Sequence, residues 1–421
     1  MKIGFICPQA PGHLNAITSL ARHTQERGHE VVLLFSSGSG GLPFISGEEQ
    51  ERILTENRAE ISKRQGEEAL KFSMGVLMDM SESMIKALPG IVKSNQIDAL
   101  VIDDVSFYVQ LGALELGIPY IHASAAMHFD YSGHTPLMMY PWPHETNAAA
   151  FARNQDGAAK FVQMLNEVNG GIRAHAEAAG LKIDWDNPHS TLSPWASISQ
   201  VPKAFDFETS HWPAQFHHTG PWDDGKSREP VDFPWERLTG EPLIYASMGT
   251  ILNGRVEVFL AIVAALAQHK DVQLVLSVGD QIDPQQLGPV PKNAIIAKRT
   301  PQLDVLKLAS VCITHSGMNT VLESLARGVP QVAIPVAFDQ PGIGARIAHH
   351  RTGVVTSLDK LTADHLSELV TEVLNNSTYR NNAQRIQRAI AEADGLSAAV
   401  DIIEQALGAN RNSPPALARN H

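Results

Sequence analysis

What most constrains this chain is a unit it uses repeatedly: a short apolar run, a turn, a helical pattern and another apolar run. Residues 3–7 (Ile-Gly-Phe-Ile-Cys), the turn Pro8 to Gly12, a helical pattern through Leu20, Ala21 and His23, and Val31 to Phe35 form the first. Ala99 to Ile102, a helix around Leu111 to Leu116, and Pro119 to His122 form another. Strand, loop, helix, strand is the signature of a parallel sheet with right-handed crossovers. A second series starts at Leu243 to Ser247 and a helix around Val256 to His269. It continues through Val272 to Val278, Ala294 to Ala297, Val311 to His315, a helix from Asn319 to Arg327, and Gln331 to Pro335. The expected fold class is α/β, with two Rossmann-like, doubly wound parallel-sheet domains facing a cleft.

The length supports this division, since 421 residues exceed the roughly 100 to 200 of one domain. From Thr219-Gly220-Pro221 to Glu241 the chain carries Gly, Pro, Asp and Lys without periodicity, which marks a linker. The expected domains are 1–221 and 241–409, joined by 222–240, with 410–421 as a flexible tail. Helical patterns at 361–375 and 378–408 close the fold, and the last helix is expected to pack back on the N-terminal domain. Residues 47–95, charged and then Met-rich, read as helices. Residues 128–190 are irregular before another helical stretch. Insertions of this kind lie beyond the C-terminal ends of the strands, where doubly wound sheets bind ligands.

Composition excludes several classes of function. A formal net charge of -12 argues against nucleic acid, whose phosphates need a basic surface. Cys7 and Cys312 sit in apolar runs of different domains, so no structural disulfide is expected, which suits a reducing compartment. The run before Pro8 is too short for a signal-peptide core, and no segment reaches the length of a membrane span. The expectation is a cytoplasmic monomer or weak homodimer. Peripheral membrane contact is compatible with the sequence but encoded by no obvious anchor.

The most informative segment follows the strand Val311 to Thr314, where His315-Ser316-Gly317-Met318-Asn319-Thr320 opens a helix. A helix N-terminus presents unpaired N–H groups and partial positive charge, so it can hold a diphosphate without a metal. The competing reading is an ordinary structural cap, because such junctions are common in α/β proteins. Glu323 falls one turn past Asn319 on the same face, where its carboxylate could accept ribose hydroxyls. Asp339-Gln340 ends a later strand with an acid and an amide side by side, suited to a sugar ring.

Pro301-Gln302, the run His315 to Glu323, Gly328-Val329-Pro330 and Asp339-Gln340 together resemble the donor-binding signature of the inverting UDP-dependent glycosyltransferases of the GT-B fold. The form with Gly317-Met318-Asn319-Thr320 and Phe338-Asp339-Gln340-Pro341-Gly342 is similar to bacterial members, including natural-product glycosyltransferases of the MGT type. It is most like the carotenoid (zeaxanthin) glucosyltransferases. The resemblance implies His315 on the diphosphate within the turn that holds Gly317 and Met318, with Asn319 and Thr320 beside it. It also implies Glu323 on the ribose and Asp339 with Gln340 on the sugar hydroxyls, the glutamine going with glucose. Ser247, Gly249 and Thr250 match a second phosphate-facing loop, and Arg299, Thr300, Pro301 and Gln302 the nucleotide side. Many relatives place a tryptophan at Arg299 to stack on uracil. A guanidinium also stacks on a planar base, so UDP and TDP both stay open. No cofactor is implied; the nucleotide sugar, expected to be UDP-glucose, is a co-substrate.

His13 follows Gly12 after the first strand, where a doubly wound domain presents reactive groups. By itself it reads equally as a polar loop histidine or a cap. The resemblance implies a catalytic base there, in a turn before a helix leading to Arg27-Gly28-His29-Glu30-Val31. It also aligns Asp103, after the strand Leu100 to Ile102, with the acid partner. Asp104 competes, and alternation along an extended segment lets only one of the two point inward; Asp103 is the expected partner. With no third ligand clustered beside this pair, no metal is expected. For the acceptor, Met78, Met127, Phe129, Met138 and Trp142 are the candidates, because methionine-rich and aromatic surfaces suit adaptable apolar pockets. Met74, Met78, Met80 and Met84 also fit a buried helical face. The expected activity is transfer of glucose from UDP-glucose to a hydroxyl of a small lipophilic acceptor, whether carotenoid, phenolic or another natural product. A UDP-sugar 2-epimerase and a non-catalytic sugar-nucleotide-binding protein are the rivals.

Overall fold

The computed structural model describes residues 1–38, 40–63, 66–226, 228, 230–249 and 254–409. The N-terminal half contains β1 (Lys2–Ile6), α1 (Pro11–Glu26), β2 (Glu30–Ser36), β3 (Phe44–Ser46), α2 (Glu48–Lys63), α3 (Gly66–Asn95) and β4 (Ala99–Asp103). It continues with α4 (Gln110–Leu116), β5 (Tyr120–Ser124), α5 (Ala148–Val168), α6 (Gly170–Ala178), β6 (Ser197–Ser199) and β7 (Phe216–His218). The C-terminal half contains β8 (Leu243–Ser247), α7 (Val256–Ala267), β9 (Gln273–Ser277), β10 (Ala294–Ala297), α8 (Gln302–Leu308), β11 (Ala309–Thr314) and α9 (Met318–Leu325). After these come β12 (Gln331–Ala333), α10 (Gln340–His349), β13 (Gly353–Val355), α11 (Ala363–Asn375), α12 (Ser377–Ala393) and α13 (Gly395–Ala409).

The strands form a seven-stranded sheet, β3-β2-β1-β4-β5-β6-β7, and a six-stranded sheet, β10-β9-β8-β11-β12-β13. Every pairing is parallel. The expected pair of doubly wound α/β domains is therefore present. Both faces of the first sheet are covered, which is why its central strands are apolar without alternation. Ile3, Phe5, Leu33 and Val101 pack with Ile17 and Leu20 of α1, whereas Ile6, Leu34, Leu100 and Ile102 pack with Met84, Leu88 and Val92 of α3. Strand order reverses between β1 and β4 and again between β8 and β11, so each sheet opens a crevice at those strand ends.

Two boundaries differ from the sequence pattern. Helix α1 begins at Pro11, whose fixed φ suits the first helical position. His13 therefore sits in the first turn of the helix rather than in the loop before it, with its N–H bonded to Ala10 O at 3.0 Å. The continuous pattern at 378–408 is broken between α12 and α13 by Asp394, in the left-handed region at φ 43. A Cβ on Gly395 would lie 2.5 Å from Pro221 O, so only glycine allows the approach at this bend. Helix α13 crosses to the first sheet, where Ala399, Val400, Ile403 and Leu407 join the core of Ile17 and Leu20. Arg27 holds it with bonds to Asp401 at 2.8 Å and Glu404 at 2.5 Å.

Much of 222–240 is anchored. Trp222 is buried in the N-terminal core, Asp224 accepts from Arg22 at 2.6 Å, and Phe233 packs beside Tyr245 and Val275. The domains share a further core of Met127, Met138, Val201 and Phe205 against Met318, Val321, Leu322 and Ile343. Beside it the buried Asp206 accepts from Arg346 of α10 at 2.7 Å. Cys7 and Cys312 are free and buried. Among the described residues no helix is long and apolar enough to cross a membrane. The expected tail at 410–421 lies outside the described residues.

Candidate active site in the interdomain cleft

The ends of β1 and β4 bring His13 and Asp103 together, with Nδ1 at 2.8 Å from Asp103 Oδ2. Asp103 is fully buried, and its other oxygen accepts the Val105 N–H at 3.0 Å. A carboxylate can only accept here, so Nδ1 carries the hydrogen and Nε2 is the nitrogen left for a substrate. Burial pulls the His13 pKa down, but the charge and hydrogen bond of Asp103, helped by Asp339 and Asp104, carry it from 6.5 up to about 9. Asp104 turns away from the dyad. Its Oδ2 accepts from Ser124 Oγ at 2.5 Å, and burial followed by the neighbouring Asp103 pushes its carboxyl well above the usual range.

The donor candidates gather across the cleft at the ends of β8 and β11. His315 lies between two glycines: a Cβ on either Gly249 or Gly317 would come within 2.4 Å of its Nε2. Burial drives this imidazole down to about 4, so it is neutral, with the Ser247 backbone pulling weakly the other way. Gly317 caps α9, which starts at Met318, and Ser247 ends β8 beside it. Below the junction Tyr245 donates to Gln302 Oε1 at 2.8 Å and meets Thr300 Oγ1 at 3.2 Å. Gln302 Nε2 in turn reaches Glu323 Oε2 at 2.6 Å and Thr320 Oγ1 at 3.3 Å. Pro301 caps α8 at this point. Burial raises the Glu323 pKa, while Arg228 of the linking segment donates to Oε1 and opposes the shift.

Three candidates occupy positions the sequence did not foretell. Asn319 donates across the cleft to Gly12 O at 2.8 Å and accepts from Gln200 at 3.1 Å, so it ties α9 to the residue preceding His13. Arg299 is exposed and pairs with Asp280 at 2.7 Å. Gln340 spends its carbonyl oxygen on the N–H groups of Val336 at 2.8 Å and Ala337 at 3.0 Å, leaving its amide nitrogen for a ligand. Asp339 accepts the Met127 N–H at 3.2 Å, and burial raises its pKa, with Met127 and His13 pulling it back. A Cβ on Gly342 would sit 2.3 Å from Met138 O, so glycine permits the close interdomain approach there. Thr250 lies outside the described residues. Gln200, Tyr245 and Arg228 were not anticipated; Gln200 follows directly after β6, and that strand-end position was the one available signal.

A cavity of about 80 Å3 opens beside Asp104 in the N-terminal domain, lined by Phe107, Tyr108, Phe129, Tyr131, Trp212 and Phe216 among others. Of the acceptor candidates only Phe129 lines it. Met78 is buried in a core with Phe107 and Leu111, and Met127 and Met138 belong to the interdomain core. Trp142 stacks on Tyr140 with centroids 3.9 Å apart and carries Arg153 over its ring.

Among the described residues one group, His128, Asp206 and His218, has donor atoms close enough to hold a metal ion. Arg346 already matches the Asp206 charge at 2.7 Å, which leaves little negative charge to attract a cation.

The family described as UDP-glucoronosyl and UDP-glucosyl transferase matches residues 236–395, the half that holds His315, Glu323 and Asp339. A zeaxanthin glucosyltransferase of Pantoea ananas is 27% identical over 414 residues, covering 96% of this chain and 95% of its own. The NDP-glycosyltransferase YjiC of Bacillus subtilis is 25% identical over 408 residues, covering 96% of each. The crystal structure of the glycotransferase of kitacinnamycin superposes with a TM-score of 0.73 at 22% identity, covering 96% of this chain and 98% of that one.

Proposed function

We propose, for a chain that is a glycosyltransferase of the UDP-glucoronosyl and UDP-glucosyl transferase family with the GT-B fold, that it moves glucose from UDP-glucose to a hydroxyl of a small lipophilic acceptor. His13 Nε2 takes the acceptor proton. The acceptor oxygen then bonds to the anomeric carbon as the bond to UDP breaks, so an α-linked donor yields a β-glycoside. Asp103 holds the tautomer and stabilises the imidazolium that forms. The start of α9, with His315 and the loop after β8, stabilises the charge on departing UDP. Glu323 holds the ribose, and Asp339 with the amide nitrogen of Gln340 holds the sugar. The observation that carries this reading is the His13–Asp103 pair at 2.8 Å, close enough to Asp339 for that carboxylate to act on the His13 ring.

The name of the Pantoea relative supports a hydroxylated carotenoid or other natural product as acceptor. The exposed Arg299 leaves the nucleotide base weakly specified, so UDP and TDP sugars are both to be tried. Purified protein is incubated with UDP-glucose, excess EDTA and a panel of phenols, lipophilic alcohols and hydroxy-carotenoids, with His13→Ala as control. Acceptor-dependent UDP release with a glucoside, lost in the variant, is the expected result. A new UDP-sugar without glycoside would replace this reading with epimerisation. No product from any donor would remove the catalytic assignment.

A further inference from the structure

Asp104 is a buried acid that the mechanism above does not use. It follows Asp103 in the turn that leaves β4. Asp103 faces His13, whereas Asp104 lines the cavity. Ser124 occupies its Oδ2, while Oδ1 is buried and has no hydrogen-bond partner. A buried carboxyl oxygen left unpaired is destabilising unless a ligand completes it. The cavity walls limit what that ligand is. Phe129 and Tyr131 lie parallel, 3° apart with centroids at 5.7 Å, and Phe107 meets Phe129 edge-on at 5.4 Å. Trp212 and Phe216, which also line the cavity, stack at 4.2 Å. Ring faces and edges in this arrangement favour a flat π system over a saturated ring with out-of-plane methyl groups.

We propose that Asp104 is an acceptor-binding residue, and that the acceptor is a flat aromatic ring system carrying a second hydroxyl besides the one that receives the sugar. The second hydroxyl bonds to Asp104 Oδ1 inside the cavity while the first reaches His13, which lies close enough to Asp104 for that carboxyl to act on its ring. This rests on the transferase reading for the direction of the first hydroxyl. The cavity and the unpaired oxygen stand independently of it. Burial favours the neutral carboxyl of Asp104, which can then both donate to and accept from a hydroxyl.

The test compares naphthol with its dihydroxynaphthalene isomers in two assays. One is kcat/KM for glucosylation with UDP-glucose, and the other is Kd from quenching of tryptophan fluorescence, since Trp212 lines the cavity. Wild type is expected to prefer at least one dihydroxy isomer by about tenfold or more in both. Asp104→Leu is expected to abolish the preference, chiefly through KM, with UDP affinity within about twofold of wild type. Asp104→Asn, which keeps shape and hydrogen-bonding capacity, is expected to retain part of it and guards against a folding defect. Equal use of mono- and dihydroxy arenes by wild type, a preference that survives in Asp104→Leu, or failure of every arene to bind would each overturn the proposal. Binding that discriminates through Asp104 without any glucoside would uphold it and overturn the transferase reading with UDP-glucose instead.

Discussion

Replacing Asp103 by asparagine removes the charge that sets the state of His13. Burial alone depresses that imidazole, and the carboxylate lifts it from 6.5 to about 9. In the free wild-type enzyme His13 is therefore mostly protonated at neutral pH, and with His13 as the proposed base kcat/KM should climb with pH until it levels near 9. In Asp103→Asn the rising limb should move to lower pH, because burial is then opposed only by the more weakly acting Asp339 and Asp104. The plateau should fall by about 10²- to 10⁴-fold, the usual worth of a positioned base, since the imidazolium formed in the transition state loses its counter-charge. Stability should follow the same linkage. A pKa raised on folding stabilises the folded state fully below the unfolded value and ceases to do so as pH rises through the folded one. The dyad's contribution, about 3 kcal/mol at most, should thus be present near pH 6 and gone above about 9. Rate profiles from pH 5.5 to 10 and urea unfolding at both ends measure these effects. An acid limb that stays in place, or a stability difference from wild type equal at both ends, would refute the reasoning.

Gly317→Ala would set a methyl 2.4 Å from His315 Nε2 and displace the ring. UDP affinity by calorimetry should fall by about tenfold or more, and an unchanged value would remove His315 from the diphosphate site. Asn319→Ala cuts the bond to Gly12 O at 2.8 Å. It should lower kcat by roughly 5- to 30-fold while leaving UDP affinity nearly intact, and a loss confined to UDP binding would contradict the cross-cleft role. Arg346→Ala strands the buried carboxylate of Asp206 and should destabilise the protein by about 3–5 kcal/mol in urea unfolding. Much of that should return in Asp206→Asn combined with Arg346→Met; no recovery would mean that packing, not charge, dominates there.

The parts of the site legible in the sequence are those built from short contiguous segments. The donor junction at 314–320 lies in one strand-to-helix turn, and Leu243–Ser247 and Ala294–Ala297 read as strands because each is a run of four or five small or apolar residues, the first buried throughout and the second at Ala294 and Ile295. His13 was marked by its strand-end position and Asp103 by the family resemblance; β1 and β4 pair in parallel, so the two residues come from neighbouring strand ends. The cavity was not legible. Its walls come from 104–110, 122–131, 165, 188–197 and 212–216, and no periodicity marks residues that converge only after folding. The three-residue strands β3, β6 and β7 are too short and too polar to register as alternating or apolar runs. Methionine content misled because it reports adaptable packing, and packing was its use at Met78, Met127 and Met138.

The return of α13 to the first sheet gives the chain an order of assembly. During synthesis the apolar face of α1 and β1 waits for Ala399, Val400, Ile403 and Leu407, which emerge after every strand of the second sheet has been made. At roughly 5–20 residues per second that interval is on the order of ten seconds or longer. The second sheet can thus complete its own core before the first does. A fragment ending at the apparent boundary near residue 221 would leave a hydrophobic stripe in water, and a hybrid enzyme joined there needs the closing helix to match its first half rather than its second.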